Sequence, residues 1–342
     1  MNSTITYSDY DDNFWNVDKP EPHQIYPTDW VAIVMYVIVF LLGVSGNGLV
    51  LWVTIFGMKR TVHTVWFINL AVADLLCCLS LPVVIMETIL GRWPLGLFAC
   101  KFIPSLLQVN MYASVHLLTV ISIDRCAMTL KPVWCHVHRT LKKAYVACLV
   151  IWFLAFLMSS PSFVFRHTSV EDDKGTEMCA YNYILAHNHK QKVENFIGSS
   201  RFLLGFVIPF LVITVCYGLL LRRVWRRFNQ CSKSLKVAIT VIIGFFICWL
   251  PYHVAGIIFA TNGSTSALFK TTAKVDTICI ALAFVNSCIN PVIYGYMGQD
   301  YKGKFKRSVS ALLKIALEED MSQSCETKSR LSTNSKNTDD IV

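Results

Sequence analysis

The sequence predicts an all-α membrane protein: a seven-transmembrane helix bundle followed by an amphipathic eighth helix. Only 15% of the 342 residues are charged and 54% are hydrophobic, whereas soluble domains carry about 25% charged residues. Apolar stretches of the roughly 20 residues needed to cross a bilayer core recur along the chain. There are seven of them: Val31–Met58, Thr61–Gly91, Phe102–Ile123, Ala144–Phe165, Phe202–Leu221, Val237–Phe269 and Thr277–Gln299.

The basic residues predict the orientation of these spans. They collect in alternate loops, around Lys59–Arg60, Lys142–Lys143 and Arg222–Arg223, and loops rich in Lys and Arg remain cytoplasmic. Seven crossings then put the N-terminus outside and the C-terminus inside a cell membrane, with membrane lipid as a partner. Because the basic residues do not form one surface, the net charge of +9 does not predict a nucleic-acid partner.

The polar segments complete the expected organisation. Residues 1–29 form an acidic, disordered extracellular segment, 30–299 the transmembrane domain, 300–314 an interfacial amphipathic helix and 315–342 a disordered cytoplasmic tail. Asn2 begins a glycosylation sequon. The tail supplies hydroxyl groups for phosphorylation at Ser322, Ser324, Thr327, Ser329, Ser332 and Thr333.

Two cysteines are expected at the extracellular side. Cys100 falls at the outer end of the third span and Cys179 in the loop after the fourth, whereas most of the thirteen cysteines lie inside spans. An oxidising environment favours a disulfide between them. The alternative is two unpaired thiols.

Asp74 lies within the second span, where an ionisable group is costly and therefore marks a functional site. Polar residues of other spans at similar depth predict a hydrated pocket for a small cation, with sodium as an allosteric ligand. The alternative is a hydrogen-bonded polar core that only packs the helices. The predicted pocket residues are Asp74, Asn110, Ser114, Asn286 and Asn290.

Prolines inside spans, including Pro251 and Pro291, predict kinks that act as hinges. At the inner end of the third span, Asp124 precedes Arg125. The arginine is placed either to be held by a neighbouring carboxylate or to bind a cytoplasmic partner. A snorkelling interfacial arginine is the alternative.

Two other functional classes fit the sequence less well. A transporter would require discontinuous helices and internal repeats. An enzyme would require a catalytic constellation, and the sequence contains no HExxH, GxSxG or phosphate-binding glycine loop. We therefore expect neither.

Motifs in successive spans resemble those of rhodopsin-like G-protein-coupled receptors. The resemblance implies rearrangement of Arg125, Tyr217 and Tyr294 on activation, coupling to a heterotrimeric G protein, phosphorylation by receptor kinases and arrestin binding. Cys126 stands where the commonest pattern of these receptors has a tyrosine after the arginine. The motifs are Gly46–Asn47, Leu70–Asp74, Asp124–Arg125, Trp152, Cys248–Pro251 and Asn290–Tyr294.

A narrower resemblance is to the complement anaphylatoxin receptors, carried by Trp93–Gly96, Ile103–Leu106, Asn110–Ser114 and Lys131–Cys135. The short loop after the fourth span is similar to the component-5 branch. This implies a basic peptide or protein anaphylatoxin ligand, inhibitory-class G proteins and chemotaxis. Component-3 anaphylatoxin, formylated peptides and chemerin remain alternative ligands. The resemblance also implies sulfation at an acidic capture segment, Tyr7, Asp9, Tyr10, Asp11 and Asp12.

The same resemblance implies a charged outer pocket. Arg201 would bind the C-terminal carboxylate of the ligand, and Asp276 a basic ligand side chain. The alternative pairs Arg201 with Glu194 or Asp276 in an internal salt bridge. Asn182 stands where component-5 receptors more often carry an acid, which removes one expected contact. The predicted pocket residues are Arg166, Glu194, Arg201, Asp276, Trp249 and Tyr252, the last two forming its floor.

Overall fold

The computed structural model describes residues 25–171, 176–184, 189–228, 233–263 and 265–297, without side chains over 171–176, 224–242 and 292–297. The described chain is almost entirely helical. Its helices are α1 (Pro27–Phe56), α2 (Val62–Leu79), α3 (Leu81–Leu90), α4 (Gly96–Leu130), α5 (Pro132–His138), α6 (Leu141–Phe165), α7 (Lys190–Phe202), a π-helical turn (Leu203–Val207), α8 (Ile208–Phe228), α9 (Lys233–Thr261) and α10 (Ala267–Met297).

These elements contain seven helical spans long and apolar enough to cross a membrane within the described residues, which confirms the predicted fold class. The second span joins α2 to α3 and the fifth joins α7 to α8 through the π-helical turn. In the third span 61% of the most apolar stretch is buried, against 28–33% in the other spans. The third span is therefore the central helix. The other spans turn most of their apolar side chains outward, which costs little where the solvent is lipid.

Local sequence signals set several helix ends. Thr61 caps α2, because its side chain accepts a hydrogen bond from the Thr64 backbone N–H. Ser80 ends α2, and Pro82 lies in the first turn of α3, where proline needs no backbone N–H. Gly91 ends α3 with φ of 60°, a left-handed conformation that glycine adopts without steric cost.

Two predicted boundaries were wrong. The predicted sixth span, Val237–Phe269, crosses a helix end: α9 stops at Thr261 and α10 begins at Ala267. The Ser266 hydroxyl accepts a hydrogen bond from the Phe269 backbone N–H at 3.1 Å and so starts the new helix. Because Ala267, Leu268 and Phe269 are apolar, the hydropathy of the sequence does not reveal this turn.

The segment between the predicted fourth and fifth spans is also more regular than the sequence predicts. Arg166–Glu171 (β1) and Thr176–Tyr181 (β2) form an antiparallel hairpin, and helix resumes at Lys190. The predicted fifth span begins only at Phe202 because the preceding residues are polar, but α7 extends that span back to Lys190. Likewise Asp29, assigned to the N-terminal segment, lies in the first turn of α1.

Candidate functional site

The hairpin of β1 and β2 is fixed to the bundle at several points. Cys179 of β2 forms a disulfide with Cys100 of α4, as predicted. The Trp93 backbone N–H donates to the Glu177 carbonyl at 2.7 Å. These links hold β2 beside the outer end of the third span.

At the base of the hairpin the chain turns back toward the bundle. The Asn182 backbone N–H donates to the Phe165 carbonyl at 2.6 Å. The Asn182 side-chain oxygen accepts from the Ile184 backbone N–H at 3.0 Å. The side-chain amide of Asn182 therefore stabilises a local turn, and a ligand that bound this amide would have to break its hydrogen bond.

Arg201, in the last turn of α7, faces the hairpin. Its Nη2 donates to the Tyr181 hydroxyl at 3.1 Å, and its buried Nε has no hydrogen-bond partner among the described residues. Within the described chain no carboxylate lies within ion-pair distance of Arg201, so neither alternative salt bridge is formed.

Arg166 provides a second cation in the same region. Its Nε donates to the Ser162 hydroxyl at 3.2 Å, and its guanidinium carbon lies 4.7 Å from the centre of the Tyr181 ring. Arg166 and Tyr181 are direct partners in the hairpin register. The hairpin thus brings two guanidinium groups to one tyrosine, and this side of the pocket is positive.

Three acids lie near Tyr36 of the first span. Asp276, Glu87 and Asp29 all interact electrostatically with the Tyr36 hydroxyl, which donates to the Thr277 carbonyl at 3.1 Å. Asp276 forms no ion pair within the described residues. Glu194, which is half-buried on α7, interacts with Tyr183 rather than pairing with Arg201. Arg201 and Asp276 therefore carry opposite charges that are not paired with each other in the described structure.

Aromatic rings form the floor. The Trp249 and Tyr252 rings of α9 meet edge to face with centroids 6.2 Å apart. His253 lies 5.3 Å from the ring of Phe206 in the π-helical turn. These aromatic contacts join the sixth span to the fifth. They lie within one helical turn of Pro251, which is inside α9 as predicted.

Asp74 is fully buried and has polar partners from two other spans. Ser114 donates to one carboxylate oxygen at 3.0 Å and Asn290 to the other at 2.6 Å. Asn110 and Asn286 are buried with them but have no hydrogen bond to Asp74 in the described structure. Ser287, which sequence reasoning missed, also lies near the carboxylate. Carboxylate and hydroxyl oxygens are ligands suited to a hard cation, so this donor set fits sodium.

At the end of the bundle away from the hairpin, Asp124 is bound by Arg139, which follows α5. Nε donates to one carboxylate oxygen at 2.7 Å and Nη2 to the other at 2.8 Å. Nη2 also lies 3.2 Å from His63 Nδ1 of α2. Arg125 interacts electrostatically with Tyr217, whose side chain is buried. Pro291 lies inside α10, while the Tyr294 side chain falls outside the described part.

Besides Ser287, sequence reasoning missed Tyr181 and Arg139, which hydrogen-bond Arg201 and Asp124, and Gln108, which accepts a hydrogen bond from Tyr181. A signal existed for Tyr181, because residues two apart on a strand share a face and Cys179 was already placed at the bundle. The predicted glycosylation, capture, phosphorylation and interfacial-helix residues lie outside the described chain.

The ordered spans, the disulfide-tied hairpin and the buried Asp74 define a seven-transmembrane receptor. Residues 46–294 match the family "7 transmembrane receptor (rhodopsin family)", and the chain belongs to this family of receptors rather than to an enzyme family.

Three similar proteins share one name. The chain is 42% identical to the C5a anaphylatoxin chemotactic receptor 1 of Oryctolagus cuniculus, over 93% of this chain and 92% of the relative. It is 41% identical to the receptors of the same name from Rattus norvegicus and Homo sapiens, over 93% of this chain and 91% of each. The resemblance expected from the sequence is thereby confirmed.

Proposed function

We propose that this protein is a cell-surface receptor for the complement component-5 anaphylatoxin, C5a, and activates inhibitory-class G proteins to drive chemotaxis. The observation that carries the proposal is the positive wall of the outer pocket. Arg201 and Arg166 lie together without an ion pair to any described carboxylate. Buried cations of this kind favour an anionic ligand group. The names of the relatives support C5a as the source of that group.

The ligand would bind with its C-terminal carboxylate at Arg201 and a basic side chain at Asp276. A guanidinium recognises a carboxylate with two parallel hydrogen bonds. The opposite charges of Arg201 and Asp276 would orient such a peptide. Outside, the acidic segment with sulfated Tyr7 and Tyr10 would attract a basic protein by electrostatic steering.

Activation would be a population shift between two arrangements of the bundle. A ligand that binds better when the sixth span has moved outward stabilises that arrangement. The floor residues Trp249 and Tyr252 lie beside the hinge at Pro251, so movement there would reach Arg125 and Tyr217. Receptor kinases and arrestin would then act on the cytoplasmic tail. A sodium ion at Asp74 would stabilise the resting arrangement.

The test is G-protein activation in cells that express this chain, challenged separately with C5a, component-3 anaphylatoxin, a formylated peptide and chemerin. Arg201→Ala should weaken the C5a response by about tenfold or more, as loss of a hydrogen-bonded charge contact does. Lys190→Ala is the matched control, because Lys190 is a basic, exposed residue of the same helix. It should leave the response unchanged.

Each result has a distinct meaning when surface expression is equal. A response to C5a alone, weakened only by Arg201→Ala, supports the proposal. A response to another ligand alone would contradict the C5a assignment. A full C5a response in Arg201→Ala would contradict the carboxylate site while leaving the ligand intact.

A further inference from the structure

Tyr181 lies between the two arginines of the outer pocket. The guanidinium carbon of Arg166 is 4.7 Å and that of Arg201 5.6 Å from the centre of the Tyr181 ring. Arg201 also donates from Nη2 to the Tyr181 hydroxyl at 3.1 Å. One aromatic side chain therefore contacts both cations.

The orientation of Tyr181 is fixed by three further links. Its hydroxyl donates to Gln108 Oε1 on α4 at 3.2 Å. Its ring stacks on Tyr183, with centroids 5.7 Å apart and planes 6° apart. The disulfide at Cys179 anchors the strand two residues earlier. The tyrosine is thus held from the hairpin and from the third span.

This arrangement lets two like charges remain in one pocket. Two guanidinium groups repel each other strongly where water is scarce, and the negative face of an aromatic ring offsets part of that repulsion. Burial raises the pKa of Tyr181, but the charges of Arg201 and Arg166 outweigh it and lower the pKa below its usual value. A more acidic phenol is a stronger hydrogen-bond donor, which favours the hydrogen bond that Tyr181 donates to Gln108.

We propose that Tyr181 is a positioning residue that holds Arg201 ready for a free carboxylate and so makes the pocket prefer a C-terminal acid over the amide. The inference rests on the proposed function. The hydrogen bond to Tyr181 and the one from Tyr181 to Gln108 restrict the Arg201 head group. Its buried Nε remains without a partner in the described chain. An incoming carboxylate would meet a donor already oriented, which avoids an entropic cost of binding.

The experiment compares two synthetic peptides of the C-terminal residues of C5a, one ending in a carboxylate and one in a carboxamide. Potency is measured for the wild type, Tyr181→Phe, Tyr181→Leu and Tyr183→Phe, with surface expression and the thermal unfolding temperature of the purified protein as the checks that each variant is folded. Tyr181→Phe keeps the ring and removes only the hydroxyl. Tyr183→Phe is the matched control, because the Tyr183 hydroxyl has no hydrogen bond within the described residues.

The wild type should prefer the acid, and Tyr181→Phe should reduce that preference by about tenfold, as expected for one hydrogen bond to a charged group. The potency of the carboxamide peptide should be the same on Tyr181→Phe as on the wild type. Tyr181→Leu should reduce the preference further, and Tyr183→Phe should keep it. A merely structural role for Tyr181 would shift both peptides equally.

Two outcomes would overturn the inference in different ways. In one outcome the wild type prefers the carboxylate peptide, and Tyr181→Phe either keeps that preference or lowers the potency of both peptides equally. The positioning role is then wrong and the proposed function stands. If the wild type does not respond to C5a, or treats acid and amide alike, the proposed ligand or its carboxylate site fails, and the role of Tyr181 fails with it.

Discussion

Asp124 is held by Arg139 through two parallel hydrogen bonds of 2.7 and 2.8 Å, although fourteen residues, most of them helical, separate the two in the sequence. Both side chains are mostly buried, with 13% and 19% of their surfaces exposed. The acid that precedes Arg125 therefore ties the third span to the loop before the fourth. His63 joins the same contact from the second span.

This ion pair should contribute measurably to stability. Arg139→Gln or Asp124→Asn alone leaves one charge without its partner and should lower the thermal unfolding temperature of the purified protein. The double variant should lose less free energy of unfolding than the two single variants lose together. The difference, which is the coupling energy of the pair, should be about 1–3 kcal/mol. Additive losses would show that the two side chains do not interact.

Gly43 should be required for close packing of the first span against the second. A Cβ atom there would overlap the Sγ of buried Cys78, whereas a Cβ on Gly48 of the same helix would meet nothing within 4 Å. Gly43→Ala should therefore destabilise the protein by about 1–3 kcal/mol. Gly48→Ala should be neutral or stabilising, because alanine favours helix by about 1 kcal/mol. Equal unfolding temperatures for the two variants would refute this.

The disulfide should be needed for ligand binding because it anchors the strand that carries Tyr181. Cys100→Ser, Cys179→Ser and the double variant should weaken C5a binding to the same extent, since losing either sulfur breaks the bond. Cys279→Ser changes an unbridged cysteine of the seventh span and serves as control. Binding should be measured at equal surface expression. A double variant far weaker than either single variant would contradict this reasoning.

Sodium should stabilise the protein through Asp74. Any ion that binds the folded state raises its unfolding temperature, so replacing an organic cation by sodium at equal ionic strength should raise that temperature. Asp74→Asn removes the charge that would bind the ion and should abolish the difference. An unchanged sodium effect in Asp74→Asn would place the ion elsewhere.

The seven spans could be predicted because their signal is local. A helix that crosses lipid must be about 20 apolar residues long, since its backbone has no other hydrogen-bond partners. The same locality explains the error at Phe269. The apolar start of α10 follows a short polar turn, and hydropathy averaged over a span cannot detect a single Ser266 cap.

The sequence by itself determined the fold class, the buried Asp74, the disulfide and the charged residues of the outer pocket. Only the tertiary structure decided their partners. Arg139 meets Asp124, and Tyr181 meets both Arg166 and Arg201, because the spans pack side by side and bring together residues far apart along the chain. Pairing of charges depends on distances of a few ångströms in space, and no spacing in the sequence encodes those distances.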